Sequence, residues 1–134
     1  MRIEHGSFEF ELRGQILIMR PEGAWNVETA IRCCKEYKAL AESINHSPWA
    51  CAVNLLSWEL GTPDIWLEID NVNAWADKHN EKFEAVICST SVQTAMLEKT
   101  YEQFTNVQTK FFDTETESLE WLNAKLLAYT DELS

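Results

Sequence analysis

Residues 49–66 read WACAVNLLSWELGTPDIW, and the boundary inside this stretch decides the fold. The stretch opens with residues that are apolar almost throughout, which is typical of a strand covered on both faces. An amphipathic helix is predicted next, over about residues 63–79. Thr62 can cap this helix, Pro63 suits its first position, and Asp64 complements its dipole. A buried strand that leads into an amphipathic helix predicts an α/β protein with a parallel sheet.

A hairpin is predicted at the start of the chain. Phe8, Phe10 and Leu12 alternate with charged residues, which predicts a strand with one exposed face. Gly14 then turns the chain into a second, denser apolar strand. Pro21 and Gly23 are expected to end that second strand.

The rest of the chain continues the alternation of strand and helix patterns. Asn26 can cap the helix that follows the hairpin. The apolar periods predict strands over residues 8–13, 15–20, 49–56, 83–88 and 107–112, and helices over residues 27–44, 63–79, 91–103 and 115–128. The predicted order is β-β-α-β-α-β-α-β-α. It describes a mostly parallel sheet with an N-terminal antiparallel hairpin and helices that cover the sheet, and residues 1–134 are predicted to form a single domain.

The composition is strongly acidic, with 11 basic residues against 22 acidic ones and a net charge of -11. Such a surface repels phosphate backbones and leaves little basic surface for counterion release. We therefore expect neither nucleic acid nor an anionic membrane surface as a partner, whereas a protein partner or an uncharged small ligand fits. No apolar run approaches the ~20 residues that a membrane span needs.

The cysteines and the N-terminal residues indicate a cytoplasmic protein. No C-x-x-C pair occurs among Cys33, Cys34, Cys51 and Cys88. The opening MRIEHGSFEF has neither an apolar segment nor a cleavage site typical of a signal peptide. Reduced and mostly buried thiols are therefore predicted.

No motif in the sequence indicates catalysis. His5, His46 and His79 are not spaced as metal ligands, and none pairs with a cysteine. The chain has no G-x-S-x-G, P-loop or dinucleotide fingerprint. We predict no catalytic residues, no cofactor and no metal, and we predict that the protein is not an enzyme.

Tryptophan is the unusual residue, with six copies in the chain. Most are expected to complete the core. Trp25, Trp58 and Trp66, however, follow or adjoin the predicted carboxyl ends of strands, which is the edge where parallel α/β sheets bind ligands. These residues are a candidate ligand or partner patch, and they predict a cavity of several hundred Å3 lined by the three indoles if the ligand is small and apolar.

Two segments, PEGAWN at residues 21–26 and KFFDTETESLEWL at residues 110–122, together with the element order, give the chain a family resemblance. The chain resembles the SpoIIAA-like branch of the STAS superfamily, which consists of small bacterial α/β proteins, many without an assigned function. The resemblance extends over nearly the whole chain and implies a single STAS-like domain.

The better-known relatives in that superfamily are anti-sigma factor antagonists. The resemblance implies that a phosphorylated serine, in an Asp-Ser-Ser-Gly segment before the second helix, would control partner binding. The matching segment here is Gly61-Thr62-Pro63-Asp64, which lacks that serine. Thr62 would inherit the role of a switch, although it also suits the role of a helix cap, and Ser57 is the serine that the same loop offers.

Three functions remain as hypotheses, in this order. The first is a non-enzymatic regulatory module that binds a protein partner or a second copy of itself, since the strand carrying Phe8 could be an exposed edge that forms a homodimer. The second is a carrier or sensor of a small apolar, lipid-like ligand. The third is an enzyme, which would require a perturbed pair of titratable groups in the cleft.

Overall fold

One mixed sheet organises the molecule. The computed structural model describes residues 3–89 and 91–133, and in these ranges the elements are β1 (Ser7–Arg13), β2 (Ile16–Trp25), α1 (Val27–Glu42), β3 (Trp49–Asn54), β4 (Trp58–Gly61), α2 (Ile65–Lys78), β5 (Glu81–Ile87), α3 (Ser91–Tyr101), β6 (Gln108–Phe112) and α4 (Glu115–Leu133). The strands lie in the order β1-β2-β3-β5-β6, and the short β4 pairs with the end of β2. β1 is antiparallel to β2, and the other pairings are parallel. The predicted α/β fold, with its N-terminal hairpin and mostly parallel sheet, is confirmed.

Each face of the sheet packs its own cluster of apolar side chains. Helices α1 and α2 cover one face, where Tyr37 and Val72 join the side chains of the central strands. Helix α4 covers the other face, where Leu122 joins Ile18 and Ala85. Strand β3 lies between β2 and β5, and helices cover both faces of the sheet. It is therefore buried along almost its whole length, as its apolar sequence predicted.

Strand β2 continues through the segment that was expected to break it. Pro21 lies opposite Phe8 in β1, and the strand ends only at Trp25. A proline lacks a backbone N–H, but it is tolerated where that donor is not needed for pairing. Gly23 adopts a positive φ of 73° and its N–H donates to the carbonyl of Ser57 at 2.9 Å, so this end of β2 turns away from β3 and pairs with β4 instead.

Strand β4 was not predicted, because residues 57–61 had been assigned to a loop. It is four residues long and only its first residue is buried, so its sequence carries no clear period. Gly61 makes the pairing feasible, since a Cβ atom there would lie 2.2 Å from the backbone oxygen of Trp25. Because β4 depends on this close approach to β2, its own sequence does not identify it as a strand, and the position of β2 has to be known.

Helix α2 begins two residues later than predicted, and Thr62 is not its cap. The helix begins at Ile65, and Asp64 occupies the N-cap position without a side-chain cap hydrogen bond. The Thr62 N–H donates to the carbonyl of Trp25 at 3.0 Å, and its hydroxyl donates to the Asp64 carboxylate. Pairing with β2 therefore holds Thr62 in the strand connection and delays the start of the helix.

The first residues of helices α1 and α4 agree with the sequence prediction. The Asn26 side chain accepts a hydrogen bond from the N–H of Thr29 at 3.2 Å, so the predicted cap of α1 is confirmed. Helix α4 begins at Glu115 as predicted but continues to Leu133, since no glycine or proline interrupts its last turns.

Candidate functional site

The three tryptophans of the candidate patch lie together in the structure. Trp25 ends β2, Trp58 begins β4, and Trp66 lies in the first turn of α2. The ring centroids of Trp25 and Trp58 are 5.7 Å apart, and those of Trp58 and Trp66 are 6.1 Å apart, both in edge-to-face geometry. The pairing of β4 with β2 brings the first two rings together, and the start of α2 adds the third.

These rings line a small cavity, which we call the inner cavity. Its volume is about 60 Å3, and its wall also includes side chains from α1, α2, α3, β3 and β5. The prediction of several hundred Å3 is wrong, because the indoles pack edge to face and fill the space that they surround. A cavity of this size holds a few water molecules or a molecule of about four to six non-hydrogen atoms. It does not accommodate an acyl chain.

Polar groups without hydrogen-bond partners lie on the otherwise apolar wall. In the part of the chain that the structure describes, Trp58 Nε1 and Asn73 Nδ2 have no hydrogen-bond partner. The Tyr37 hydroxyl and Glu84 Oε2 make no hydrogen bond of ordinary geometry, although Tyr37 interacts with Glu81, and Glu84 interacts with Glu81 and Tyr101. All four residues line the inner cavity, and each is more than nine-tenths buried. Because an unpaired buried polar group costs about 1–3 kcal/mol, the two donors without a partner, beside a carboxyl and a hydroxyl with only weak partners, indicate a place for polar atoms of another molecule.

Two buried glutamates form the main electrostatic feature of this region. Glu81 and Glu84 face the same side of β5, because a register shift after Glu81 changes the alternation along the strand. Burial raises the pKa of Glu84 to about 7, and burial together with the Glu84 carboxyl raises that of Glu81 well above its usual range. Both oxygens of Glu81 lack a hydrogen bond of ordinary geometry within residues 3–89 and 91–133. A carboxyl that titrates near neutral pH therefore lies on the cavity wall.

Sequence reasoning missed this pair, although a signal was present. The run FEAVIC at residues 83–88 was identified as a buried strand, and Glu84 lies inside that run. A glutamate within a strand covered on both faces has to be buried or to lie at a bulge. The burial of Glu81 could not be inferred in this way, since it depends on the register shift between β3 and β5.

The cavity contains no activated nucleophile next to these carboxyls. Burial raises the pKa of the Cys34 thiol to about 11, and it raises those of Cys33 and Cys51 further. Neutral thiols are weak nucleophiles. Of the perturbed glutamate pair only Glu84 lines the cavity, so the condition set for the enzyme hypothesis is met only in part, and none of these cysteines supplies a reactive partner.

The candidate switch residues lie on a second surface, which we call the rim segment and define as residues 55–67. Ser57 and Thr62 are both exposed there, and neither lines the inner cavity. The rim segment also presents two large apolar side chains, Leu56 and Leu67, which are 46% and 67% exposed. The structure thus separates the predicted switch positions from the interior space that the tryptophans line.

No group of three or more histidine, cysteine, aspartate or glutamate side chains is arranged to hold a metal ion in the described residues. Over the same ranges, none of the helices combines the length and the apolar character that crossing a bilayer requires.

Similarity to solved structures agrees with this architecture. No protein-family model and no curated protein sequence matches the chain. It aligns with a TM-score of 0.70 and 14% identity to the crystal structure of an uncharacterized protein from the DUF3478 family with a SpoIIAA-like fold, from Shewanella loihica PV-4, over 91% of this chain and 97% of that chain. It aligns with a TM-score of 0.61 and 13% identity to an anti-sigma factor antagonist from Mycobacterium paratuberculosis, over 88% of this chain and 94% of that chain. The chain therefore has a SpoIIAA-like fold.

Proposed function

We propose that this protein is a non-enzymatic regulatory module of the bacterial cytoplasm that binds a partner protein through the rim segment. The observation that carries the proposal is the exposure of Leu56 and Leu67 in the same short segment as the exposed residues Ser57 and Thr62. Apolar side chains on a surface next to polar ones are typical of recognition sites. The anti-sigma factor antagonist that shares the fold supports a role in protein interaction.

The charge of the rim segment indicates which partner would fit. Glu59 and Asp64 are exposed in the same segment, and the whole chain has a net charge of -11. A partner with a neutral or basic docking surface would meet complementary charge here, whereas an acidic one would be repelled. Phosphate added to Thr62 would place like charges beside Asp64 and would weaken such a contact. Thr62 is thus the stronger candidate for a switch, and Ser57 is the second.

Substitution of the exposed leucines provides the test. Leu67→Asp should reduce the amount of partner that the purified protein retains from a lysate of its own organism by about 30-fold, as expected for a contact at the centre of an interface. Leu127→Asp is the matched control, since Leu127 is 66% exposed on α4 and lies outside the rim segment. Thr62→Glu should act like Leu67→Asp, and Thr62→Val should not.

Quantitative mass spectrometry of the retained proteins gives the readout. The proposal holds if one protein is lost with Leu67→Asp and Thr62→Glu but kept with Leu127→Asp. It is wrong if both leucine variants retain the same proteins as the unmodified chain, or if the retained proteins do not depend on the rim segment.

A further inference from the structure

The inner cavity carries an inference beyond the proposed function. Its wall combines two unpaired donors, a carboxyl and a hydroxyl without a hydrogen bond of ordinary geometry, and aromatic and aliphatic side chains. Trp58 Nε1 and Asn73 Nδ2 can only donate hydrogen bonds, so they require an acceptor. Glu84 Oε2 can accept once the carboxyl is ionised, and the Tyr37 hydroxyl can do either. A molecule that satisfies the whole set needs both an acceptor and a donor within a few ångströms.

The charge of the cavity wall determines whether the ligand is a cation or an anion. No lysine, arginine or histidine lines the inner cavity among the described residues, whereas Glu84 does and Glu81 lies behind it on the same face of β5. An anion would therefore meet a carboxyl with no compensating cation. A cation would neutralise Glu84, and the aromatic rings of Trp58 and Trp66, whose faces attract positive charge, line the same cavity.

The size of the cavity limits the ligand further. About 60 Å3 excludes a nucleotide, a sugar or an acyl chain and leaves room for a compound of about four to six non-hydrogen atoms. The wall is partly exposed where Trp66 and Ile69 of α2 and Tyr101 of α3 line it, so this is the side from which such a compound would enter.

We propose that the inner cavity binds a small primary amine that also carries a hydroxyl or carbonyl oxygen. The ammonium group pairs with the Glu84 carboxylate, and the oxygen accepts hydrogen bonds from Trp58 Nε1 and Asn73 Nδ2. The Tyr37 hydroxyl completes the polar contacts. Methylene groups of the ligand lie against the apolar side chains of the wall. The protein thereby has a second recognition site, inside the fold, that is distinct from the exposed leucines and hydroxyls of the rim segment, although Leu55, Trp58 and Trp66 of that segment line the cavity.

Ionisation of Glu84 is part of the binding equilibrium. With a pKa of about 7 for Glu84, the ligand displaces a proton from this carboxyl whenever the solution is more acidic than that value. The titratable groups that face the pair from the surrounding elements are Tyr37, Cys51, Asp77 and Tyr101. Burial raises the pKa of both tyrosines and of the cysteine, so these three remain neutral near pH 7 and supply no cation that would replace the ligand.

Ethanolamine, ethylene glycol and glycolate form a matched set of probes, because they are similar in size and differ in charge. Isothermal titration calorimetry of the full chain at about pH 8 should detect ethanolamine and should give an affinity at least about tenfold greater than for ethylene glycol. Glycolate should not bind. Quenching or a spectral shift of tryptophan fluorescence should follow the same order, since Trp58 and Trp66 line the cavity.

Glu84→Gln should weaken ethanolamine binding by about 30-fold or more, because it removes the charged partner while keeping the shape of the side chain. Glu120→Gln is the matched control, since Glu120 lies exposed on α4, on the other side of the sheet from the inner cavity, and the substitution makes the same change in net charge. Circular dichroism establishes that both variants are folded. If Glu84→Gln does not fold, the unmodified protein supplies the test, because ethanolamine affinity should fall by about tenfold between pH 8 and pH 6 as Glu84 takes up a proton.

The outcomes separate clearly. Selective ethanolamine binding that depends on Glu84 or on pH in this way supports the proposal. Equal or tighter binding of ethylene glycol would assign the cavity to a neutral ligand, and binding of glycolate would contradict the charge argument. Absence of binding by ethanolamine at millimolar concentration would mean that the cavity holds only water. Each of the last three results overturns the amine site and leaves the test of the rim segment unaffected.

Discussion

At the scale of single residues, Glu84 has the most unusual environment in the described chain. It is 1% exposed, yet it lies in a strand whose neighbours are apolar. Its pKa of about 7 lies above the ordinary value of 4.5 because burial disfavours the charged form. The unfolded chain therefore loses this proton at lower pH than the folded chain does, so the stability contributed by the neutral carboxyl disappears as the pH rises toward 7.

The raised pKa of Glu84 leads to a prediction for the pH dependence of stability. Between about pH 5 and pH 8, the free energy of unfolding should decrease by about 3 kcal/mol from Glu84, and Glu81 should act in the same direction. Urea denaturation of the unmodified chain and of Glu84→Gln at both pH values measures the effect. The variant should lose less stability than the unmodified chain over this range, and Glu120→Gln should behave like the unmodified chain. A wild-type stability that does not change from pH 5 to pH 8 would contradict the assignment.

At the scale of secondary-structure elements, β4 holds the aromatic site together. It pairs with the end of β2 at Gly23 and Trp25, and this pairing places Trp58 against Trp25. Without β4 the connection from β3 to α2 would have no fixed path across the indoles. The close approach at Gly61 is therefore a structural requirement of the candidate site.

Gly61→Ala should destabilise the protein by about 1–3 kcal/mol, since the added methyl group would overlap backbone atoms that cannot move aside. Loss of near-ultraviolet circular dichroism from the indole cluster should accompany the lower urea midpoint. Gly14→Asn serves as the comparison, because nothing lies within 4 Å of a Cβ atom at Gly14 and asparagine tolerates its positive φ of 58°. Equal effects of both substitutions would show that β4 does not depend on the close approach.

At the scale of the whole molecule, charge opposes self-association. The sheet has edge strands at β1 and at β6, and β1 carries Glu9 and Glu11. Arg20 of β2 pairs with both of these carboxylates and with Glu115 at the start of α4, so part of the negative charge at this edge is neutralised within the chain. The whole chain still has a net charge of -11, and repulsion between two copies acts against a homodimer at low salt.

We predict that a homodimer formed through β1 becomes more populated as salt is added. Screening shortens the range of the repulsion between copies from about 30 Å at 0.01 M salt to about 8 Å at 0.15 M. Size-exclusion chromatography with light scattering over this range measures the mass directly. A mass that stays at that of the 15.5 kDa chain at every salt concentration would exclude self-association through this edge.

The sequence by itself determined the order of every element except β4, and the mostly parallel sheet, because apolar periodicity and helix caps such as Asn26 depend on residues that are close together in the chain. It also placed Trp25, Trp58 and Trp66 near strand ends. Only the tertiary structure decided that β4 exists, since β4 is defined by the approach of Gly61 to Trp25. The size of the inner cavity and the burial of Glu81 beside Glu84 depend on how rings pack and on a register shift between two strands. These features arise from contacts between residues that are distant in sequence, and no local pattern encodes such contacts.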